Sequence, residues 1–129
     1  MIVTNKGLMA GLKAPDEYGD QPCSVLRATR DQLEECTGGC GPGGVGDMLV
    51  PDTIWLLSIK DACKIHDWMY SWGQTREDKD MADDYFRKNM KYIIEAKTSW
   101  RWLRFLRRRR ANTYYLMCSE GGDKSFFDK

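Results

Sequence analysis

His66 is the only histidine of this 129-residue chain, and it stands in a run of side chains that could do acid–base chemistry. Cys63 precedes it by one helical turn, Asp67 follows it directly, and Tyr70 comes one turn later. Catalysis near neutral pH most often uses histidine, whose ordinary pKa of about 6.5 lets it accept and return a proton. His66 is therefore the candidate general base. The alternative is a partly buried histidine that a neighbouring acid satisfies without any catalysis.

A helix over residues 54–72 is predicted to carry this run of side chains. Its apolar residues fall on several faces, which is typical of a helix buried between neighbours. Asp52 or Thr53 can cap its start, and Gly73 can end it. On such a helix residues 63, 66 and 70 share one face, because spacings of three and four residues place side chains above one another. Asp67 lies about 100° further round, at the border of that face.

A second helix is predicted from a cap at Thr75 to about Lys97. Asp78 follows Thr75 by three residues, which is an acidic variant of the capping box. The helix has an apolar stripe at helical spacing, formed by Ala82, Phe86, Met90 and Ile93. Its basic residues are expected to lie in solvent, namely Lys79, Arg87, Lys88 and Lys91. Because only about three residues join the two helices, we expect them to be antiparallel neighbours.

Asp83 is placed near the edge of the apolar stripe of the second helix, three residues before Phe86. A carboxylate in that position needs hydrogen-bond donors to offset its removal from water. His66 and Tyr70, facing it across the two helices, would provide them. The alternative is a solvated acid in an acidic helix, with Asp84 as its more exposed neighbour.

The sequence GGCGPGG at residues 38–44 predicts a loop whose backbone can approach a ligand closely, because glycine exposes its carbonyl and amide groups. It is not a phosphate-binding P-loop, since the lysine followed by serine or threonine is missing and no strand is predicted before it. Hard cations such as Ca²⁺ bind carbonyl and carboxylate oxygens. With Asp67 as the carboxylate, the loop would form a calcium site. The alternative is a simple turn.

The length fits a single domain, and the composition divides it into three parts. Residues 1–53 contain all four prolines and most of the glycines, which predicts loops, a short helix near residues 24–35 and the glycine-rich loop. Residues 54–97 form the helix hairpin, and residues 98–129 a basic amphipathic segment. No apolar run approaches the ~20 residues of a transmembrane helix, and residues 1–14 lack the apolar core of a signal peptide. We therefore expect no transmembrane anchor and a cytoplasmic protein as synthesised.

Five cysteines are many for this length, and their odd number leaves at least one unpaired in a monomer. Without an export signal, reduced thiols are expected, although Cys36 or Cys40 could form a disulfide with Cys63 in an oxidising compartment. The same three cysteines and His66 also have a spacing that a structural zinc ion tolerates. With the arginine-rich segment they would suggest a small nucleic-acid-binding module. That hypothesis gives no role to the glycine-rich loop or to the carboxylates of the two helices.

The C-terminal segment combines aromatic residues with six arginines between residues 100 and 110. In a helix its apolar residues share one side and its arginines fill the other, which is typical of a helix lying on an anionic membrane surface. The residues expected to bind that interface are Trp100, Trp102, Arg104, Arg107 and Arg108. The alternative is that the apolar side packs on the helix hairpin, while the arginines are solvated or paired with acids. Nucleic acid is a weaker candidate partner, because no recognised binding pattern accompanies the arginines.

Three of these stretches together resemble the phospholipase A2 superfamily. They are CGPGG at residues 40–44, DACKIHDWMY at residues 61–70, and ADDYF at residues 82–86 with Met90. The first two resemble the calcium loop and the active-site helix of these enzymes, and the third is similar to the acid-bearing helix of the short bacterial, phage and parvoviral members. The combination is more specific than any of its parts.

The resemblance implies a mainly α, phospholipase A2-like fold: an antiparallel two-helix core, a glycine-rich calcium loop and an irregular N-terminal part. It implies calcium-dependent hydrolysis of the sn-2 acyl ester of phospholipids at a membrane surface. His66 would be the general base that takes a proton from water, and Asp83 would hold the imidazole and stabilise its protonated form. Tyr70 would hydrogen-bond Asp83. The resemblance also allows release from the cell, or association with a phage, after synthesis in the cytoplasm.

A calcium site follows from the same resemblance. Ca²⁺ would be bound by Asp67 and by the backbone carbonyls of Gly39, Gly41 and Gly43, and the cation with the Gly41 amide would stabilise the developing oxyanion. The disulfide scaffold of secreted members does not carry over as a whole, because this chain has Ala62 and Met69 where those members have cysteines. A lipid-binding protein of the same fold without turnover is the remaining alternative.

Overall fold

The computed structural model describes residues 8–37 and 51–128. In this part of the chain the protein is mainly α, with five helices and one small antiparallel sheet. The helices are α1 Arg30–Thr37, α2 Lys60–Trp72, α3 Arg76–Lys97, α4 Arg101–Gly121 and α5 Asp123–Phe127, and the strands are β1 Thr53–Ile54 and β2 Leu57–Ser58. None of the described helices is long and apolar enough to cross a membrane.

The central helices α2 and α3 pack against each other and are joined by three residues. Thr75 caps α3 in the predicted capping box: its side chain accepts from the Asp78 amide, and the Asp78 carboxylate accepts from the Thr75 amide. α2 ends before Gly73, where any larger side chain would collide with Tyr18 and Phe126. One cap and one close contact therefore fix the turn between the two helices.

Residues 53–58 form a β-hairpin, so the prediction that a helix begins at Ile54 is wrong. Thr53 pairs with Ser58 and Ile54 pairs with Leu57 in antiparallel register. Ile54, Leu57 and Ile59 are buried while the side chains around them are exposed. Of the apolar residues that the prediction assigned to the start of the helix, Ile54, Leu57 and Ile59 are thus buried in or directly after a short strand pair, and Trp55 and Leu56 are exposed between the strands.

The sequence predicts that Asp52 or Thr53 caps α2, but neither residue does so in the structure. The helix begins at Lys60 after Ile59, and no side chain of the described residues caps it. The Ile59 amide instead donates to the Asp52 carbonyl at 2.8 Å, which closes the base of the β-hairpin. The hairpin rather than a capping side chain therefore determines where α2 starts.

The tip of the β-hairpin is formed by Trp55 and Leu56, which both have left-handed backbone conformations, with φ of 46° and 68°. Two-residue turns of this kind usually contain asparagine and glycine, because a larger side chain in this conformation costs roughly 1–2 kcal/mol. Leu56 is 99 % exposed, so packing of its side chain offsets almost none of that cost, whereas Trp55 is half-buried and has the Arg110 guanidinium over its ring. Folding stability therefore does not explain why a leucine occupies position 56.

The first helix, α1, begins at Arg30, later than the predicted residue 24. Thr29 and Gln32 form its cap: the Thr29 amide donates to Gln32 Oε1 at 2.9 Å, and the Gln32 amide donates to Thr29 Oγ1 at 3.1 Å. The preceding residues are turns, in which the Arg27 amide donates to the Ser24 carbonyl at 2.8 Å. A reciprocal pair of hydrogen bonds thus sets the start of α1.

The irregular N-terminal stretch is tied to both central helices. The Met9 amide donates to the Asp61 carboxylate at 2.8 Å, near the start of α2. In α3, the Asn89 side chain accepts from the Lys13 amide and donates to the Lys13 carbonyl, both at 2.8 Å. These bonds satisfy backbone groups that have no partner in a helix or strand, which makes the stretch part of the folded core.

Helix α4 packs on α3 through a face that the sequence did not predict. Its buried residues are Arg107, Ala111, Tyr114 and Cys118, one helical turn apart. The Tyr114 hydroxyl also donates to the Thr53 carbonyl at 2.8 Å, so α4 holds the β-hairpin as well as α3. The aromatic residues at the start of α4 remain largely in solvent.

The left-handed tip makes a prediction about stability. Replacing Leu56 with asparagine, which tolerates this conformation, should raise the free energy of unfolding by about 1 kcal/mol, because an exposed side chain loses no packing. Urea unfolding should show a higher midpoint with an unchanged slope.

Leu57→Asn provides the matched control, because Leu57 is buried in the adjacent strand. It should lower the free energy of unfolding by about 3 kcal/mol or more. If Leu56→Asn were destabilising to a similar degree, the tip would be making folding contacts and the description of it as strained and exposed would be wrong.

Candidate active site

The imidazole of His66 and the carboxylate of Asp83 meet between α2 and α3. His66 Nε2 lies 2.8 Å from Asp83 Oδ1, and the Tyr70 hydroxyl donates to the same oxygen at 2.6 Å. His66 and Asp83 are each only 1 % exposed. The structure therefore brings together the three side chains whose helical spacing predicts that they converge. It also places Asp83 in the core and leaves Asp84 half-buried, in ion pairs with basic residues of its own helix.

Aromatic rings fix the orientation of the imidazole. The ring of His66 stacks on Phe86, with centroids 4.6 Å apart, and lies 4.1 Å from the tilted ring of Tyr70. Because ionised Asp83 carries no proton, Nε2 of His66 must be the protonated nitrogen in this contact. Nδ1 is then the ring nitrogen with a basic lone pair.

Burial sets the charge state of the imidazole. It lowers the pKa of His66 below its ordinary value, although the hydrogen bond to Asp83 acts in the opposite direction. The imidazole is therefore neutral at neutral pH. That is the form in which it can accept a proton.

The burial of Lys79 is the feature of the site that differs most from the sequence-based prediction. Predicted to lie in solvent, it is fully buried, and its Nζ donates to Asp83 Oδ2 at 2.7 Å. Burial alone would raise the pKa of Asp83. Hydrogen bonds from its partners, Lys79 among them, outweigh this effect and hold that pKa below its ordinary value. Both carboxylate oxygens of Asp83 are thus occupied, one by His66 and Tyr70 and the other by Lys79.

The last turn of α4 completes the surroundings of Lys79. Its Nζ donates to the carbonyl of Cys118 at 2.9 Å and to that of Ser119 at 3.3 Å, and Asp123 Oδ1 lies 3.5 Å away. Carbonyls at the C-terminal end of a helix carry partial negative charge and favour a nearby cation. Arg76 forms two hydrogen bonds with the Asp123 carboxylate, at 2.8 and 3.0 Å. The buried ammonium therefore links the candidate dyad to α4 and α5.

A signal for the burial of Lys79 was present in the sequence. Residues 79, 83, 86 and 90 follow one another at spacings of four, three and four, so Lys79 continues the face that carries Asp83 and the apolar stripe. The sequence did not show that a third helix covers this end of the face. Without such a cover, a lysine at the start of a helix is normally in solvent.

Asp67 is the one predicted calcium ligand within the described residues. Its Oδ1 is buried and accepts no hydrogen bond from the described part of the chain. Burial raises the pKa of Asp67 to about 7. An adjacent cation would offset the cost of holding this carboxylate ionised, so Asp67 fits a metal ligand. The predicted partners Gly39, Gly41 and Gly43 lie outside the described residues.

The cysteines near the site are thiols. Cys63 and Cys118 are free, and burial raises the pKa of Cys63 above its ordinary value and that of Cys118 to about 12. His66, Asp83 and Cys118 offer ligand atoms within 4.8 Å of one another. However, the Lys79 ammonium already binds Asp83 and would repel a metal ion there. Of the cysteines in the zinc hypothesis, only Cys63 has a described side chain, because the side chains of Cys36 and Cys40 lie outside the described part of the structure.

Two of the residues predicted to bind a membrane interface lie in solvent. Trp100 and Trp102 are each about 60 % exposed, with ring centroids 5.7 Å apart. Arg107 is buried instead, and its guanidinium donates to Thr98 Oγ1 at 2.8 Å and to the Trp55 carbonyl at 2.7 Å. Arg107 is therefore not available to a membrane surface, because its charge is used inside the fold.

Two further arginines of that prediction share one acid. Arg104 and Arg108 both pair with Glu95 of α3, Arg104 with its Nε 3.6 Å from the carboxylate. The sequence left open whether the arginines face a membrane or pair with acids. For these two, pairing with an acid is what the structure shows.

Comparisons of the chain with protein-family models, with curated proteins and with solved structures found no match.

The buried Lys79–Asp83 pair leads to a prediction about coupling. Lys79→Met keeps the length of the side chain but leaves Asp83 without its ammonium partner, and should cost about 3 kcal/mol in stability. Asp83→Asn should cost a similar amount, because Lys79 then stays buried without a carboxylate. The double variant should lose about 2 kcal/mol less than the sum of the single variants, measured by urea unfolding at neutral pH.

The exposed pair Lys88–Asp84, also four residues apart in α3, is the matched control. Its double-mutant cycle should show far weaker coupling, because solvent screens the charges. The coupling of the buried pair should persist above about pH 4 and disappear as the pH falls through the lowered pKa of Asp83, since a protonated carboxyl no longer holds the ammonium. Equal coupling in the two cycles would contradict the assignment of Lys79 to the buried site.

Proposed function

We propose that this protein hydrolyses the sn-2 acyl ester of phospholipids in a calcium-dependent reaction of the phospholipase A2 type. The observation that carries the proposal is the contact of His66 Nε2 with Asp83 Oδ1 at 2.8 Å, which leaves Nδ1 as the basic nitrogen. Asp67 follows His66 directly and has a buried carboxylate oxygen without a hydrogen-bond donor among the described residues. A base and a carboxylate suited to a cation therefore lie next to each other on α2.

The base in this proposal is His66. Its Nδ1 takes a proton from a water molecule, and that water attacks the ester carbonyl without a covalent enzyme intermediate. Asp83 accepts a hydrogen bond from Nε2, so it keeps the imidazole in the tautomer whose Nδ1 is basic and stabilises the imidazolium that forms. The proton on Nδ1 then goes to the leaving alcohol.

Tyr70 and Lys79 act on this chemistry through Asp83. Each donates a hydrogen bond to the carboxylate, Tyr70 to Oδ1 and Lys79 to Oδ2. These donors favour the ionised form of Asp83. A proton transferred to His66 therefore remains on the imidazole and does not pass to Asp83.

Calcium would be held by Asp67 together with the backbone carbonyls of Gly39, Gly41 and Gly43. When bound, the ion supplies positive charge that polarises the ester carbonyl and stabilises the oxyanion, to which the Gly41 amide would add a hydrogen bond. Asp67 contributes a shielded carboxylate oxygen, which interacts more strongly with a cation than an oxygen exposed to water does.

Fatty-acid release from phospholipid vesicles tests the proposed reaction. His66→Gln and Asp83→Asn should each lower the rate by at least ~100-fold, because each removes part of the proton-transfer pair. Asp84→Asn is the matched control, since Asp84 is the neighbouring acid with surface partners, and it should keep the parent rate. Full activity of folded His66→Gln would contradict the proposal.

Calcium binding is tested separately by titration calorimetry. We expect the parent protein to bind Ca²⁺, with activity lost in EGTA, and Asp67→Asn to lose both the binding and the activity. Asp80→Asn, an exposed acid of α3, should change neither. Stoichiometric zinc in the purified protein, together with no Ca²⁺ binding, would favour the zinc hypothesis instead.

A further inference from the structure

The tip of the β-hairpin and the outward face of α4 lie against each other. The Trp55 carbonyl accepts a hydrogen bond from Arg107 at 2.7 Å, and the guanidinium of Arg110 lies 5.7 Å from the centre of the Trp55 ring. A shallow cleft of about 270 Å³ separates Trp55 from the α4 residues Leu106, Arg109, Arg110 and Thr113. The hairpin and α4 therefore present one continuous surface, formed mainly by Trp55, Leu56, Trp102, Phe105, Arg109 and Arg110. We call it the docking surface.

Apolar side chains on the docking surface project into solvent. Leu56 is almost fully exposed in a strained turn, and Trp102 and Phe105 are more than half-exposed. Asparagine and glycine would suit the tip better for folding alone. Large apolar side chains at such a position gain free energy only when something apolar covers them. Tryptophan is also enriched at the headgroup level of a bilayer, and phenylalanine and leucine are typical of the apolar face of helices that lie in the interface.

Uncompensated positive charge lies beside these apolar groups. Among the described residues, no carboxylate pairs with Arg109 or Arg110. Their guanidinium groups lie instead over aromatic rings of the docking surface, Arg109 over Phe105 and Arg110 over Trp55, each 5.7 Å from the ring centre. Arg104 and Arg108 pair with Glu95, and Arg107 is buried, so the arginines of α4 without an acidic partner among the described residues are Arg101, Arg109 and Arg110. Of these, Arg109 and Arg110 lie beside the hairpin tip.

The combination of exposed apolar side chains and unpaired arginines distinguishes between the partners that could bind the docking surface. A duplex nucleic acid would satisfy the arginines, but its phosphate backbone offers nothing apolar to Leu56 at the tip. The bases of a single strand stack on aromatic faces, and Arg109 and Arg110 already cover one face of the Phe105 and Trp55 rings. A symmetric dimer through the docking surface would place arginines against arginines, because none of the residues that define this surface is acidic. An anionic bilayer supplies both phosphates for the guanidinium groups and acyl chains for Leu56 and Trp55.

We infer that the docking surface binds anionic phospholipid bilayers, with the Trp55–Leu56 tip entering the headgroup region while Arg109 and Arg110 contact lipid phosphates. This inference rests on the proposed function for the identity of the substrate, but the binding it describes requires no hydrolysis. The sequence predicts that Arg104, Arg107 and Arg108 bind the membrane interface. In the inference their place is taken by Arg109 and Arg110, which are exposed and have no acidic partner among the described residues.

Vesicle sedimentation in the His66→Gln background tests the inference, because lipid then stays intact. Vesicles mix phosphatidylglycerol with phosphatidylcholine, and pure phosphatidylcholine vesicles serve for comparison. Arg109→Gln/Arg110→Gln should weaken partitioning to the anionic vesicles by roughly tenfold to thirtyfold at low salt. Leu56→Asn should weaken it by roughly tenfold while raising the thermal midpoint of the protein.

Matched control variants test whether vesicle binding depends on the docking surface or only on the total charge and hydrophobicity of the protein. Arg27→Gln/Lys124→Gln removes two positive charges from exposed residues outside α4 and the hairpin, and Met81→Gln removes an exposed apolar side chain from α3. Both should leave partitioning within about twofold of the parent. Quenching of tryptophan fluorescence by brominated acyl chains should fall in Trp55→Ser and should persist in Trp72→Phe, because Trp72 lies half-buried on α2.

The outcomes separate this inference from the proposed function. Vesicle binding that depends on Leu56 and Arg109/Arg110, in a parent that releases no fatty acid, would support the docking surface and overturn the proposed hydrolysis. Hydrolysis of a dispersed short-chain phospholipid by a parent that does not sediment with vesicles would do the reverse. Unchanged partitioning of the Leu56 and arginine variants would overturn the inference. So would dimerisation in sedimentation equilibrium that Leu56→Asn abolishes, or tighter binding to a DNA duplex than to vesicles.

Discussion

The candidate site depends on keeping two opposite charges, the Lys79 ammonium and the Asp83 carboxylate, away from water. Burying an ion costs several kcal/mol even after a protein relaxes around it, so such a pair is tolerated only when hydrogen bonds satisfy both groups. Asp83 meets that condition with His66, Tyr70 and Lys79, and Lys79 meets it with Asp83 and the carbonyls of Cys118 and Ser119. Removing either Lys79 or Asp83 would leave the other buried charge without its counter-ion, so the carboxylate that orients His66 is itself fixed by the ion pair.

The same constraint extends to the surface through α4. Its last turn must be in place for the carbonyls of Cys118 and Ser119 to reach Lys79, and the helix is held by Ala111, Tyr114 and Cys118 against α3. The Tyr114 hydroxyl and the Arg107 guanidinium in turn hold the β-hairpin by its carbonyls. One helix thus stabilises the buried dyad at its C-terminal end and positions the exposed hairpin tip near its middle. In the proposed enzyme, this arrangement would couple the surface that meets lipid to the groups that move the proton.

Errors of the sequence-based predictions share one physical origin. Residues 54–59 contain enough apolar residues for a helix, but the strand pair is stabilised by the Ile59–Asp52 hydrogen bond and by α4, neither of which is visible in local periodicity. Arg107 belongs by composition to a basic surface stripe, yet it is buried because Thr98 and the Trp55 carbonyl lie within its reach. A polar residue is placed inside or outside by its partners, which come from distant parts of the chain. The glycine-rich loop at residues 38–44 remains a sequence-based prediction.

What the sequence determined by itself is the set of relations that a helix imposes over one to three turns. The shared face of His66 and Tyr70, the capping box of Thr75 and Asp78, and the place of Asp83 at the edge of the apolar stripe all follow from helical periodicity and a short connection. Only the tertiary structure decided that Lys79 completes this face as a buried cation, that α2 begins after a hairpin, and that α4 turns Arg107 inward. The physical reason is that periodicity fixes which side chains point the same way, whereas the energy of a buried charge depends on what another segment brings to meet it.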